Sequence, residues 1–560
     1  MLRFLSLLCC SLLLSFSQGV AKTSRSFPTT PYAYDWRGCM LDVSRHFFPV
    51  EVLKRQIDVL SHYGINRLHL HLTDAGGWRF EVPGYPRLTN LAAWRTESDW
   101  ELWWIKGDRR YLPEGTPNAY GGYYTEEKLR ELVNYATERG ILIVPEVEIP
   151  GHSEELTTAY PELKCEGNDG AQADVCPSQA ASYQWINATI DALVRVFPSP
   201  YIHIGGDEAS KQHWRQCKRC IALAQQLHLK STDELQHHIV QYAMRRVAAR
   251  GRIPICWDDA LCDDLPPNSI VMVWRDVAIV EQARAKGYAV VFCPSRYCYL
   301  DYAQDAPWSQ PRSFGNYLPL KEVWNMPLPE GILGIQGNLW SEYVSTPEHL
   351  EYMLYPRMLA IAEVGRLGAN RPEYSKFRTW CLQELEHWRE KGLHTFDLRK
   401  EKGDRPASQK PTLHKARGKT VHYHRAPHSQ YRAGGTTALV DGLQGNWQHS
   451  DGRWQGFLGD SCLDVTIDLG TTQSLKRVAM DFLQADGAGI YLPAEWELWT
   501  STDGRHFSLL HQRSHSKQQR AISFVERWTW MGRTRTRYLR VVGRPAQASD
   551  WIFTDEIIVQ

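Results

Sequence analysis

Two adjacent carboxylates, Asp207 and Glu208, end the stretch Tyr201-Ile-His-Ile-Gly-Gly-Asp-Glu208, in which an apolar run is broken by two glycines. Acids placed at a strand end can hand a proton to a leaving oxygen or steer a polar group of a substrate. The glycines let the backbone turn sharply or approach a ligand where a Cβ would obstruct it. The same octet also reads as a strand running into a helix, its acids complementing the macrodipole. The other strands must choose between the two.

From about Arg37 to Arg366, β-like runs alternate with helical periodicity. Eight strands are predicted, at residues 38–42, 66–74, 141–150, 201–208, 253–257, 270–274, 288–294 and 332–340. Helical patterns follow at 50–63, 126–139, 183–197, 233–250, 277–286 and 348–365. Eight strand–helix units over some 330 residues predict an α/β fold, a (β/α)8 TIM barrel over about 30–400, better than an open doubly wound sheet. No Gly-x-Gly-x-x-Gly follows the first strand and no Gly-Lys-Ser/Thr loop occurs, which argues against nucleotide chemistry.

A barrel demands that chemistry gather just past the carboxyl ends of its strands. Those ends carry Asp42 to Arg45, Asp74, Glu148 with His152, Asp207 and Glu208, Trp257 with Asp258, Trp274, Tyr299 with Asp301, and Trp340 with Glu342. Each alone could be a helix cap or a core aromatic. All eight at one rim point to carbohydrate chemistry, with Trp stacking on a pyranose and Arg and carboxylates reading hydroxyls. Glycosidases with two carboxylates on opposite sides of the bond draw them from well-spaced positions. Neighbours such as Asp207 and Glu208 suit work on one side, one as acid and the other positioning substrate.

Charge is balanced, 64 basic against 63 acidic residues, which argues against nucleic acid as a partner. Residues 1–18 have an early arginine, an apolar run and small residues near the end, predicting a secretory signal and export to the periplasm or beyond. No other stretch is long and apolar enough to span a membrane. In an oxidising compartment Cys165 and Cys176, which flank a polar loop, are expected to form a disulfide. Cys217-x-x-Cys220 suggests metal, but no second pair with zinc spacing follows it, leaving a disulfide or free thiols. After a helical stretch at 374–391 comes a basic, Pro- and Ser-containing segment, 401–418, read as a linker. Residues 419–560 have strand patterns and turns, predicting an antiparallel β-sandwich.

His203-Ile-Gly-Gly-Asp-Glu208 resembles the His-x-Gly-Gly-Asp-Glu signature of the family 20 glycoside hydrolases, the β-N-acetylhexosaminidases. Matches in order at Asp42 to Arg45, His69 to Asp74, Glu148 to His152, Trp257-Asp258, Tyr299 to Asp301 and Leu339 to Glu342 extend the resemblance from Gly38 to about Arg366. It implies substrate-assisted retaining hydrolysis of a terminal N-acetylhexosamine through an oxazolinium ion, with no metal or cofactor. Glu208 would be the acid, with a raised pKa, and Asp207 would accept the acetamide N–H. Tyr299 would donate to the acetamide oxygen, and Trp257, Trp274 and Trp340 would wall the sugar. Arg45 with Glu342, and Asp301, would hold the outer hydroxyls, while Asp74 and His152 would form a relay to Glu208. Two departures are visible. Asp74-Ala75-Gly76 keeps only the first of two acids often found there, and too few residues precede Tyr32 for the small α+β domain that usually comes first. A further family tryptophan would be Trp308 or Trp324.

Through Thr437-Ala-Leu-Val-Asp-Gly442, Val465 to Gly470 and Ser501-Thr-Asp-Gly504, the C-terminal segment resembles the discoidin-like (coagulation factor 5/8 type C) sandwiches. Trp447, Trp454 or Tyr491 would then meet glycan, or else pack the sandwich. Two alternatives to the exo-acting hexosaminidase are a lacto-N-biosidase, which releases a disaccharide, and a glycan-binding protein with a vestigial barrel.

Overall fold

The computed structural model describes residues 32–167, 172–314, 316–459, 462–520 and 523–560; the segment expected to be a signal, residues 1–18, lies outside them. Eight parallel strands close a barrel in chain order: β1 (Trp36–Asp42), β2 (Arg67–His71), β3 (Leu142–Glu146), β4 (Tyr201–His203), β5 (Ile253–Trp257), β6 (Ile270–Val273), β7 (Ala289–Phe292) and β8 (Gly334–Leu339), which pairs back onto β1. The strands are shorter than their apolar runs suggest, because the tails of those runs leave the sheet as the functional loops. In the octet only Tyr201–His203 is strand, and Ile204 onward belongs to the rim.

Amphipathic helices cover the barrel. α1 (Val50–His62) buries Leu53, Ile57 and Leu60, α2 (Glu126–Thr137) is capped by the Thr125 side chain, and α3 (Ala180–Val196) buries Trp185, Ile186, Ile190 and Leu193. α4 (Lys218–Gln226) and α5 (Leu235–Ala249) both follow β4, and α6 (Ala278–Ala285) follows β6. The single helix expected over 348–365 is two, α7 (Pro347–Leu354) and α8 (Arg357–Leu367), because Pro356 has no N–H to continue the ladder. α9 (Tyr374–Glu390) closes the domain.

The long β2–α2 connection, 72–125, is held by Arg79. Its buried guanidinium donates to the carbonyls of Val43, Ala93, Gly122, Ser44 and Gly76. Five acceptors satisfy every N–H of one arginine, so a loop with only short pieces of regular structure is fixed against the barrel top.

Seven further strands form a C-terminal antiparallel domain: β9 (Thr420–Tyr423), β10 (Gln455–Leu458), β11 (Leu463–Gln484), β12 (Glu495–Ser501), β13 (Ser508–Ser514), β14 (Phe524–Arg544) and β15 (Trp551–Val559). The long β11 and β14 pair with register shifts at 468/473 and 475/477, where the sheet bends around a core of Val465, Ile467, Trp496 and Trp528. The segment read as a linker is docked on both sides. Lys402 and Gly403 donate backbone N–H groups to Asp305 of the barrel, and buried Arg405 pairs with Asp481 and Asp555 of the sheet domain. A basic composition without periodicity conceals this, because one buried arginine supplies the anchorage.

Candidate active site

Ten of the rim residues expected from the sequence line one cavity. A pocket of about 160 Å³ is lined by Arg45, His152, Asp207, Glu208, Trp257, Trp274, Tyr299, Asp301, Trp340 and Glu342. Asp74 sits one step behind, its carboxylate 2.6 Å from Arg45 and 3.1 Å from His152 Nδ1.

The β4 turn explains how the acids arrive. Gly205 (φ 66°) and Gly206 (φ 101°) lie in the left-handed region, and a Cβ on Gly205 would meet Glu148 Oε2 at 2.0 Å. Only glycine fits there. Glu208 (φ 44°) and His152 (φ 50°) also sit at positive φ without being glycine. Such positions cost about 1–3 kcal/mol each, and here the two strained residues face each other at the rim. His152 Nε2 lies 3.5 Å from Asp207 Oδ2 and 3.6 Å from Glu208 Oε2. Asp74 and Glu208 therefore lie off opposite ring nitrogens of His152.

Electrostatics differ from expectation at one residue. Glu208 was predicted to have a raised pKa, yet it lies below the usual carboxylate value, because the His152 imidazole 3.6 Å away favours its ionised form more than burial opposes it. Burial instead pushes its neighbour Asp207 up to about 7, although His152 pulls the other way. Burial alone would lower the His152 imidazole, but Asp74 and then Glu208 and Asp207 outweigh it and hold it well above its usual value. In the open cleft Asp207 thus holds a proton more readily than Glu208 does.

The walls are fixed from behind. Trp257 Nε1 donates to Glu146 (2.7 Å), Trp274 Nε1 to Asp259 (2.8 Å), and Tyr299 lies stacked beside Trp274 at 6.1 Å between ring centres. Asp207 Oδ1, Asp301 Oδ1 and Trp340 Nε1 are buried and have no hydrogen-bond partner. Burial drives Asp301 well above the usual carboxylate range, and Glu342 is raised for the same reason despite Arg45. Unpartnered buried polar atoms are rare, and three around one cavity mark where a polar ligand belongs.

Beneath the cavity, Glu146 is surrounded by His69, His71 and His203 inside the barrel. Burial opposes its ionisation, but the three imidazoles outweigh this and hold it well below the usual range. These groups could ligate an ion by proximity, yet Glu146 already bonds its neighbours and serves as the floor to which Trp257 is tied. Their two-residue spacing along β2, His69 and His71, signals an inward face.

Several functional neighbours escaped the sequence. Ala75 stands where the second acid would be, and at the next position a Cβ on Gly76 would come within 2.4 Å of Arg45 Cα, so no side chain fits at 76. Trp308 is exposed and Trp324 is buried against Phe377, so neither lines the pocket; Phe314 and Tyr302 do. A wider cavity of about 490 Å³ shares Arg45, His152, Glu208 and Phe314 and extends to Trp100, Trp104 and the sheet-domain residues Asp486 and Gly487. Of the three C-terminal aromatics, Trp454 is core, Trp447 donates to Gly403 O, and Tyr491 faces the groove between the domains. No local pattern in 486–487 announces a cleft residue.

Cys165 and Cys176 are not paired with each other. They meet Cys217 and Cys220 in one buried cluster, so the second cysteine pair lies upstream of Cys217-x-x-Cys220 rather than after it.

Comparison with known proteins matches residues 34–365 to the family "Glycosyl hydrolase family 20, catalytic domain". The chain is 36% identical over 363 residues to a beta-hexosaminidase of Porphyromonas gingivalis, covering 62% of this chain and 44% of that one. It is 34% identical over 354 residues to a beta-hexosaminidase of Vibrio furnissii, covering 59% and 56%. The chain thus spans about half the length of these curated relatives. A Vibrio harveyi GH20 exo beta-N-acetylglucosaminidase, solved in complex with N-acetylglucosamine, superposes with a TM-score of 0.58 at 29% identity over 65% of this chain and 59% of that one. The family match ends at 365, before the sheet domain begins. With a closed barrel, the acids at its carboxyl rim and a family match over more than half its length, the chain belongs to glycosyl hydrolase family 20.

Proposed function

We propose that the protein is an exo-β-N-acetylhexosaminidase that releases terminal GlcNAc or GalNAc from glycoconjugates or oligosaccharides by substrate-assisted retention. One observation carries this reading: Asp207 presents a buried acceptor with no partner inside an aromatic cavity, with the half-exposed Glu208 directly beside it. A 2-acetamido group lying there gives its N–H to Asp207 and receives a hydrogen bond on its oxygen from the Tyr299 hydroxyl. That oxygen attacks the anomeric carbon while the bond to the leaving group breaks. Glu208 protonates the departing oxygen, the oxazolinium ion forms, and water then opens it as Glu208 takes the proton back. Asp207 stabilises the positive charge that develops on the nitrogen.

The low pKa of Glu208 belongs to the open cleft. A bound sugar displaces water from Glu208, which raises its pKa, while the acetamide N–H favours ionised Asp207. Both effects move the shared proton from Asp207 to Glu208 as the substrate arrives. Arg45 and Glu342 with Asp301 meet the outer hydroxyls, and the pocket of about 160 Å³, closed by Trp257, Trp340 and Tyr299, favours one sugar over the disaccharide a lacto-N-biosidase would hold. The sheet domain is read as a discoidin-like module whose Asp486–Gly487 turn borders the leaving-group side. Residues 1–18 support export.

The test compares an aryl β-N-acetylglucosaminide with the aryl β-glucoside that lacks the acetamide. Hydrolysis of the first alone, with monosaccharide as product and inhibition by a thiazoline mimic of the intermediate, is the expected result. Equal rates on both, or disaccharide release, would sink it.

A further inference from the structure

Four buried cysteines from two loops converge behind the catalytic rim. Cys165 and Cys176 lie on the β3–α3 connection that carries His152, while Cys217 and Cys220 stand at the start of α4, after the β4 loop that carries Asp207 and Glu208. Their four sulfurs all lie within 4.8 Å of one another. Cys165 and Cys176 stand 3.9 and 3.5 Å from Cys220. A tetrahedral zinc–thiolate centre with Zn–S bonds of about 2.3 Å places its sulfurs about 3.8 Å apart. We infer that Cys165, Cys176, Cys217 and Cys220 bind one structural zinc ion that braces the loops carrying the catalytic acids.

The surroundings suit a thiolate centre. Cys217 is the N-cap of α4 and Cys220 lies in its first turn, where the helix N-terminus favours anionic sulfur. The Ser178 hydroxyl stands 3.1 Å from Cys176 Sγ and 3.4 Å from Cys220 Sγ, the outer-shell hydrogen bonding that metal-bound sulfur accepts. Trp214, Ala224 and Leu235 seal the cluster from water. Binding exchanges the four thiol protons for one divalent ion, and four protons leave to solvent. Two residues before Cys176, Asp174 accepts the backbone N–H groups of Ser210 (2.9 Å) and Lys211 (2.7 Å), so the cluster and this clamp together set where Glu208 stands. The four cysteines act as positioning residues, several bonds away from any reacting atom.

The full chain, purified without metal-chelating resin, is analysed by inductively coupled plasma mass spectrometry and zinc-edge X-ray absorption. About one zinc per chain with four sulfur neighbours near 2.3 Å is the expected result. Less than about 0.1 zinc per chain overturns the assignment, whether peptide mapping then finds the four cysteines as two disulfides or as free thiols. Cys176→Ser is expected to lose the ion, and if that variant fails to fold, the metal content and absorption spectrum of the unaltered protein still decide. Removing zinc with a strong chelator is expected to lower kcat about tenfold with little change in KM, as a displaced Glu208 would require. The metal measurement does not depend on the assigned activity, so failure of one leaves the other distinguishable.

Discussion

Both domains bury carboxylates, and they treat them in opposite ways. In the sheet domain Asp481 takes both arms of Arg527, the Gln444 amide and Arg405, while Asp555 takes Arg405, the Gly445 N–H and the Glu556 N–H. Glu556 in turn meets His414 and the Gly442 N–H. At the barrel rim Asp207 and Asp301 are buried too, yet each keeps an oxygen with no partner. A buried acid whose acceptors are all used holds a fold together. One with an acceptor left over is aimed at something that binds.

Substitution at Glu208 tests the rim side of the contrast most severely. Glu208→Gln keeps the shape and removes the proton, so kcat/KM on an aryl β-N-acetylglucosaminide should fall about 10³-fold. Its melting temperature should stay where it is, since the side chain is half exposed. The mirror experiment is Asp481→Ala, which strands Arg405 and Arg527. Denaturant unfolding should register a loss of about 3–5 kcal/mol in the sheet domain, with turnover within twofold of normal. A variant that kept its stability and lost its activity would place Asp481 with the rim acids and erase the distinction.

Asp207→Asn should lower kcat about 10²-fold, the scale set by removing one preorganised electrostatic contact. Stability should hold or improve, because burial already works against the ionised form. An unchanged rate would class Asp207 with Asp555 as mere structure. The pH profile gives a milder effect. The proposed mechanism requires one proton on the Asp207–Glu208 pair, and Asp207, raised to about 7, would give it up as the pH rises. The ratio kcat/KM should therefore decline above about pH 7, by about tenfold per unit. On the acid side it should decline only below the usual carboxylate value, since Glu208 is depressed. A profile flat to pH 9 would mean that the pair does not share its proton.

The strands and their polar ends were legible because each signal is local: an apolar run, then Asp74, Glu148, Asp207 or Trp340 one or two residues on. The octet, with two glycines ahead of two acids, is the plainest case. What stayed hidden depends on distance in space. Nothing near Glu208 in the chain reveals that His152 will lower its pKa, and nothing at Cys217-x-x-Cys220 tells that its partners lie some fifty residues earlier. Arg79 looks like any surface arginine until five carbonyls surround it. Asp486 and Gly487 belong to another domain altogether. In the family signature the residues match, but the protonation of the pair is a property of the assembled cleft.

The contact between Gly205 and Glu148 has a practical side. With no room for a single carbon at that turn, the position of the acids is written into the main chain and cannot be adjusted by choosing other side chains. Attempts to alter which sugars this enzyme accepts should leave 203–208 alone and randomise the long connections that frame the cleft, such as 98–106 and the neighbourhood of Phe314. There, variation can accumulate without moving the reacting groups, which makes the rim a fixed reaction centre inside a replaceable frame.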